Sequence, residues 1–233
     1  MKAAIIALCL AAAPASASCR LALALGMDIS SSVNAAEYEL QLRGMARAFR
    51  EPDIIDAVLA IPDQYVLVLP YEWSGRLQQE AIGEWARLET AADVVALADR
   101  LDAHTRRYEN FSTGIGQSLI WVQQQFDALP VSCDRLVVDL SGDGITNDGP
   151  DAIDQWPDLA ARGITVNALA IVEPTQIDHA DQDVATHYRN EVITGPGAFM
   201  LVARIGFEDY PELIRGKLLR ELAPQMLIGA VEP

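Results

Sequence analysis

The chain has 233 residues, and its 17 Lys and Arg against 33 Asp and Glu give a formal net charge of -16. With 51% hydrophobic residues, 15 glycines and 12 prolines, the composition is that of a globular protein and excludes a disordered or collagen-like chain. Nucleic-acid binding relies on clustered basic residues, and here only Arg106 and Arg107 are adjacent, so we expect no nucleic-acid partner.

Residues 1–17 are typical of an export signal. Lys2 is followed by an apolar stretch over 3–13 and by the small residues 15–17, so we expect cleavage after this signal and one mature domain over 18–233. The apolar stretch is shorter than the ~20 residues that cross a bilayer, and no later apolar run reaches that length. We therefore expect a periplasmic or secreted protein without a membrane span.

Two cysteines, Cys19 and Cys133, remain after removal of the signal. In an oxidising compartment they favour a disulfide, and two buried free thiols are the alternative. Each precedes an apolar run, 21–27 and 136–140, and the starts of neighbouring parallel strands lie close together. A lipid anchor at Cys19 is disfavoured, because a serine stands three positions earlier where a lipoprotein signal has an apolar residue.

Apolar runs bounded by turn residues alternate with segments of helical period along the chain. This alternation predicts one doubly wound α/β domain in three layers, with a mostly parallel central sheet and helices on both faces. Strands are predicted near 21–27, 65–71, 135–141, 164–172 and 198–204, with a weaker one near 77–86 that would form an edge hairpin. Helices are predicted near 34–49, 91–103, 115–128, 150–162, 181–192 and 208–222.

Three polar motifs lie in the loops of this predicted fold. Residues 28–32, Asp-Ile-Ser-Ser-Ser, end the first strand, and residues 141–144, Ser-Gly-Asp-Gly, end the strand near 135–141. Residues 112–116, Ser-Thr-Gly-Ile-Gly, precede a helix. Ligands of doubly wound sheets bind at the carboxyl ends of strands, which favours a binding site. Taken singly, each motif is also explained as a helix N-cap or a turn.

Together, the D-x-S-x-S motif, the Thr before a helix and the later Asp-Gly resemble the metal-ion-dependent adhesion site of von Willebrand factor A domains. The resemblance covers nearly the whole mature chain, and Thr113 matches through the pattern Thr-x-Ile-Gly-x-x-Leu. Ser112 is the alternative hydroxyl, because residues 110–112 replace the usual glycine pair. The chain is also similar to secreted bacterial proteins of the DUF1194 type. The five ligands implied by the resemblance are Asp28, Ser30, Ser32, Thr113 and Asp143.

Two carboxylates and three hydroxyls are hard oxygen ligands, so Mg²⁺ is the expected ion, with Mn²⁺ and Ca²⁺ as alternatives. Zinc would favour His or Cys, and His104, His179 and His187 are scattered in a way typical of surface or loop residues. Because Mg²⁺ takes about six ligands, a position remains for an Asp or Glu of a protein partner. The resemblance therefore implies adhesion or assembly, and the protein is not expected to be an enzyme.

Two other uses of this site stay open. A metal-bound water would make a hydrolase, which needs a general base, and the candidates are Asp139 and Asp148, both more simply explained as strand-end and turn residues. Alternatively, the domain is structural and its metal site is idle. A haloacid-dehalogenase-type phosphatase is excluded because Ser30 stands where it needs a second acid, and a serine hydrolase is excluded by the lack of a G-x-S-x-G elbow.

The resemblance also implies the strand order 3-2-1-4-5-6, in which the first and fourth strands are neighbours. Asp28 and Asp143 would then lie together at one end of the sheet. Cys19 and Cys133 would lie together at the other end, nine and ten residues earlier. The same strand adjacency is therefore expected to assemble the metal site and the disulfide.

Overall fold

A computed structural model describes residues 17–172 and 181–224. It contains a seven-stranded sheet in the order β3-β2-β1-β5-β6-β7, with β4 also paired to β2. Strands β1, β2, β5, β6 and β7 are parallel to one another, and β3 and β4 are antiparallel to β2. The strands are Ser18–Asp28 (β1), Gln64–Trp73 (β2), Gln79–Ala81 (β3), Ala86–Leu88 (β4), Leu136–Gly142 (β5), Ile164–Ile171 (β6) and Met200–Ala203 (β7).

Helices cover both faces of the sheet, so the predicted three-layer fold and its strand order are confirmed. Each face has its own hydrophobic core, and α1, α2, α3 and α7 pack on the face opposite to α4, α5 and α6. The central strands are mostly apolar because both of their faces are buried. The helices are Ala35–Ala48 (α1), Pro52–Val58 (α2), Ala91–Ala103 (α3), Ile115–Asp127 (α4), Trp156–Ala161 (α5), Asp181–His187 (α6) and Tyr210–Leu222 (α7).

The elements differ from the predicted ones in three places. Helix α2 was not predicted, because its seven mostly acidic and apolar residues, about two turns, show little periodicity. The helix expected over 150–162 begins as a 3₁₀ turn, Ile153–Gln155, and α5 starts only at Trp156, with Pro157 in its first turn. The expected edge strand near 77–86 is two short strands, β3 and β4.

The disulfide predicted between Cys19 and Cys133 is present, with the two Cα atoms 4.5 Å apart. Cys19 lies at the start of β1, and Cys133 forms a parallel bridge with it just before β5. The bond therefore ties together the amino ends of the two strands whose carboxyl ends carry Asp28 and Asp143. The export signal predicted for residues 1–17 lies outside the described residues except for Ala17. In the parts of the chain that are described, none of the helices has the length and hydrophobicity needed to cross a bilayer.

Gly116 fixes the position of α4 against the loop before α5. A Cβ at this residue would overlap the carbonyl oxygen of Pro150 and come within 2.8 Å of that of Asp151. We expect Gly116→Ala to lower the free energy of unfolding by about 1–3 kcal/mol, because neither backbone oxygen moves easily. Gly216→Ala is the matched control, since nothing lies within 4 Å of that Cβ. Urea unfolding of both variants measures the difference, and equal stability would contradict the assigned contact.

Candidate functional site

Asp28 begins the site as the last residue of β1. It is fully buried, and its Oδ1 accepts a hydrogen bond of 2.7 Å from the Ser30 amide. The first loop then turns back over the strand, which brings the Ser30 and Ser32 hydroxyl oxygens to 3.1 Å from each other. The N-cap of α1 is Asn34, and Asp28, Ser30 and Ser32 do not cap this helix. The helix-capping explanation of the D-x-S-x-S motif is therefore wrong for Asp28, Ser30 and Ser32.

Asp143 lies beside this loop because β1 and β5 are neighbours in the sheet. Met27 is in register with Ser141, so the residues that follow the two strands leave the sheet side by side. The Ser32 hydroxyl donates a hydrogen bond of 2.7 Å to Asp143 Oδ1. Two loops more than a hundred residues apart in sequence are joined at this contact.

Thr113 completes the group from a third loop. Its amide donates to Asn147 Oδ1 at 2.8 Å, and its carbonyl accepts from the Asn147 amide at 2.9 Å. Gly144, one residue after Asp143, lies close to it, since a Cβ there would be 3.2 Å from Thr113 Oγ1. Gly114 is the N-cap of α4, so Thr113 does not cap that helix with its side chain.

A cleft of about 300 Å³ opens between the three loops. Ser32, Thr113 and Asp143 line it, whereas Ser112 does not. Ser112 is exposed, and its carbonyl accepts a hydrogen bond from the Ser74 hydroxyl. This arrangement favours Thr113 over Ser112 as the hydroxyl ligand.

The two carboxyl groups are held where their negative charges are unfavourable. Burial, and next the charge of Asp143, raise the pKa of Asp28 to about 8. Burial also raises the pKa of Asp143. Asp28 Oδ2 is buried and has no hydrogen-bond partner within the described ranges 17–172 and 181–224. A divalent cation at this position would supply the missing positive charge and the missing contact.

The donor set is the kind that a hard divalent cation prefers. Among the described residues, no group of three or more His, Cys, Asp or Glu side chains is placed to hold a metal. The candidate site has two carboxylates, and its remaining donors are the hydroxyls of Ser30, Ser32 and Thr113, which bind Mg²⁺, Mn²⁺ or Ca²⁺ more readily than soft metals.

The sequence did not identify two residues that support the site. The Arg106 guanidinium donates to the carbonyls of Ile29, at 2.7 Å, and Val33, at 2.8 Å, and so holds the first loop in place. The hydroxyl of Tyr188 and Asp28 Oδ2 both lie close to Gly142. A Cβ at Gly142 would be 2.5 Å from the Tyr188 hydroxyl and 2.7 Å from Asp28 Oδ2. Arg106 was noticed only as half of a basic pair, and no sequence signal pointed to Tyr188.

The two candidate bases of a hydrolase are occupied elsewhere. Asp139 is buried in the middle of β5, 2.5 Å from the Lys217 amino group. Asp148 accepts a hydrogen bond of 2.9 Å from the Arg76 amide. Neither lines the cleft. Their geometry does not favour the hydrolase alternative.

The histidines do not form a metal site in the described part of the chain. His104 Nε2 lies 3.1 Å from a Glu72 carboxylate oxygen, and His187 contacts Glu191 at 3.3 Å. His187 is largely buried and not a surface residue as expected, because its helix packs beside the loop that follows Asp143. His179 lies outside the described residues.

The raised carboxyl pKa values predict how stability depends on pH in the absence of metal. The folded protein keeps a proton on Asp28 up to about pH 8, whereas the unfolded chain releases it near the ordinary aspartate pKa of 3.8. Stability with chelator should therefore fall as the pH rises through this window, by on the order of 1 kcal/mol per pH unit for each such group.

The variant Asp28→Asn tests this assignment, because it keeps the shape of the side chain and removes the charge. With chelator at pH 8 we expect it to unfold at a higher urea concentration than the wild type. Its stability should also depend less on pH, and the remaining slope should come from Asp143, whose pKa is likewise raised by burial. A variant less stable than the wild type at pH 8, with the slope unchanged, would show that Asp28 is not a strained carboxylate.

The strand order and the three convergent loops define a von Willebrand factor A-type α/β domain. The chain belongs to the family described as "Protein of unknown function (DUF1194)", whose model matches residues 18–226. This agrees with the resemblance found in the sequence. No curated protein matches the chain significantly by sequence.

Several solved structures share the fold. Proximal thread matrix protein 1 from the mussel byssus matches with a TM-score of 0.58 and 19% identity, over 89% of this chain and 49% of that chain. The vWF domain of the type V pili tip protein Mfa5 from Porphyromonas gingivalis has a TM-score of 0.56 and 8% identity, over 90% and 98%. A von Willebrand factor type A structure from Catenulispora acidiphila has a TM-score of 0.54 and 16% identity, over 88% and 43%.

At these identities the likeness shows the fold alone. The chain spans about half of the mussel protein that it matches. A further structure of that mussel protein has a zinc-occupied MIDAS motif and matches with a TM-score of 0.56 and 15% identity, over 89% of this chain and 47% of that chain.

Proposed function

We propose that the protein binds a divalent cation, with Mg²⁺ as the expected ion, and uses it to hold an acidic side chain of a protein partner. The ligands would be the five candidates predicted from the sequence, Asp28, Ser30, Ser32, Thr113 and Asp143. The observation that carries the proposal is the convergence of three separate loops. Ser32, Thr113 and Asp143 line one cleft that no Lys or Arg of the described residues lines, and the buried Asp28 and Ser30 precede Ser32 in the first loop without lining the cleft themselves.

The composition of the site explains why a partner would be held. Two carboxylates balance the charge of a divalent ion, and neutral hydroxyls add none, so the ion stays attractive to a further anion. The cleft is open to solvent, since Ser31, Ser32 and Ile145 at its edge are exposed, and this leaves room for an incoming carboxylate. The helices α1 and α4 begin next to the loops that form it, and their amino ends favour a bound anion.

The relatives agree with a function in adhesion or assembly. The mussel protein is a thread matrix protein, and Mfa5 is a pilus tip protein. The zinc-occupied motif in the mussel protein shows that a site of this type accepts a divalent ion there. For this chain, we propose a periplasmic or secreted location, following the export signal predicted over residues 1–17, and a role without catalysis.

A peptide-binding experiment tests the proposal. Peptides with a central Glu or Asp are compared with their Gln or Asn counterparts, with Mg²⁺ and with chelator, by fluorescence anisotropy. We expect binding that requires both the ion and the carboxylate and is at least ~10-fold weaker for Ser32→Ala and Asp143→Ala. Asp154→Asn is the matched control, because Asp154 is an exposed carboxylate outside the cleft. Metal binding without any preference for carboxylate peptides would indicate an idle structural site.

A further inference from the structure

Lys217 has an unusual position in the core. It is the only lysine apart from Lys2, which lies in the predicted export signal, and its side chain has no exposed surface. Lysine is almost never fully buried unless it is paired. Its amino nitrogen lies 2.5 Å from Asp139 Oδ1 and 2.8 Å from Glu221 Oε1. An amine and two carboxyl groups therefore meet out of contact with water, between β5 and α7.

The triad has both apolar and polar neighbours, and the half-buried Arg135 donates a hydrogen bond to the main-chain carbonyl of Glu221. The ring centroid of Phe199 lies 5.1 Å from the lysine nitrogen. The Asn167 side-chain amide donates a hydrogen bond of 2.9 Å to Glu221 Oε1. Glu221 Oε2 and both carboxylate oxygens of Asp139 lack a hydrogen bond of ordinary geometry within the described residues. The triad is therefore not a fully satisfied ion-pair network.

The charges of the triad do not balance. One ammonium and two carboxylates would leave a net negative charge in the core, which burial strongly disfavours. Burial, and next the charge of Glu221, raise the pKa of Asp139 to about 8, so this group carries a proton at neutral pH. A protonated carboxyl group can lose its hydroxyl as water, which an ionised carboxylate cannot.

We propose that Lys217 and Asp139 are joined by an isopeptide bond between the lysine Nζ and the aspartate Cγ, and that Glu221 carries the proton. The contact distances place the nucleophile, the acyl group and the proton carrier within one cluster on rigid elements. No further reactant is required, because the reaction is a condensation that needs neither an oxidant nor a cofactor.

The reaction balances as follows. Glu221 takes a proton from the ammonium group of Lys217, and the free amine attacks Cγ of the protonated Asp139 carboxyl group. The Nζ–Cγ bond forms, the bond from Cγ to its hydroxyl oxygen breaks, and a second proton of the amine leaves with that hydroxyl as water. Glu221 keeps the first proton, so a buried ion pair is converted into neutral groups, which burial favours. The exclusion of water from the core also protects the amide from hydrolysis.

The bond would fasten α7 to the middle of the strand that ends at the candidate metal site. Strand β5 runs from Leu136 to Gly142, directly before Asp143, and α7 covers one face of the sheet. This cross-link is independent of the proposed metal function, since the triad lies outside the cleft.

The wild-type protein gives the direct test. After reduction of the disulfide, its intact mass should be lower than the sequence mass of the processed chain by one water, about 18 Da. Endoproteinase Lys-C, which cuts after lysine, should fail to release the fragment that starts at Leu218 from the denatured chain. Tandem mass spectrometry should find a branched peptide joining Lys217 and Asp139. A full mass with complete cleavage after Lys217, or a branch at Glu221, would overturn the proposal.

Variants separate the roles in the triad. Asp139→Ala should keep the full mass, and Asp139→Asn should lose ammonia, about 17 Da, because the amide then supplies the leaving group. Glu221→Gln should form the bond at least ~100-fold more slowly. Glu212→Gln is the matched control, an exposed acid on the same helix, and should lose water like the wild type. A water loss that persists in Asp139→Ala would also overturn the assignment.

Discussion

Mg²⁺ added to the chelator-treated protein is expected to raise its melting temperature by roughly 5–10 °C at an ion concentration of about 100 times Kd. An ion that binds only the folded state stabilises it by about 2.7 kcal/mol at that concentration, and a domain of this size shifts by about 2–4 °C per kcal/mol. The pairing of the ion with the carboxylates of Asp28 and Asp143, whose charged forms burial disfavours in the absence of metal, is the physical source of this stabilisation. Differential scanning fluorimetry with Mg²⁺, Mn²⁺ and Ca²⁺ measures the shift and ranks the ions.

Asp143→Ala is expected to remove this rise, because it deletes one of only two carboxylates in the candidate set. Asp154→Asn should keep it, since that residue is exposed and does not line the cleft. The assignment of the site would be wrong if Asp143→Ala responded to Mg²⁺ like the wild type, whatever the outcome of the peptide experiment.

Loss of the disulfide is expected to lower the free energy of unfolding by roughly 3–5 kcal/mol. Cys19 and Cys133 are 114 residues apart in sequence, so the bond closes a long loop and strongly restricts the unfolded chain. The double variant Cys19→Ser with Cys133→Ser, compared with the wild type by urea unfolding without reductant, measures the effect.

Mass spectrometry of the non-reduced chain provides the control for this comparison. The paired wild type is two hydrogens lighter than its reduced form, about 2 Da, and a native chain in which both thiols react with a thiol reagent would rule the bond out. The stability difference is also expected to vanish when the wild type is unfolded in the presence of a strong reductant.

The strands and helices were predictable where local patterns and burial agree. Runs such as 21–27 are apolar throughout because both faces of a central parallel strand are covered, and a capping pair such as Asn34 and Glu37 marks a helix start on the sequence itself. Prediction failed where the pattern was short. Helix α2, Pro52–Val58, and the short strands β3 and β4 carry too few residues to show a period.

The sequence also indicated the five candidate ligands, because their types and order form a motif. The sequence did not decide between Thr113 and Ser112, since both are hydroxyl residues in one loop. Only the direction in which each side chain leaves the backbone shows which of the two lines the cleft. The sequence did not indicate that Tyr188 lies beside Asp28, because an aromatic residue within a helical pattern is typical of an ordinary core position.

Composition, periodicity and loop motifs are local properties, and they determined the fold class, the strand adjacency implied by the motif, and the chemistry of the ligands. The tertiary structure decided what depends on the distance between remote residues: which hydroxyl lines the cleft, where Asp139 lies, and which groups meet Lys217. Asp139 illustrates the difference. In the sequence it was a candidate base four residues before Asp143, but it lies in the middle of β5 on the face that α7 covers, away from the carboxyl end of the strand where the cleft opens.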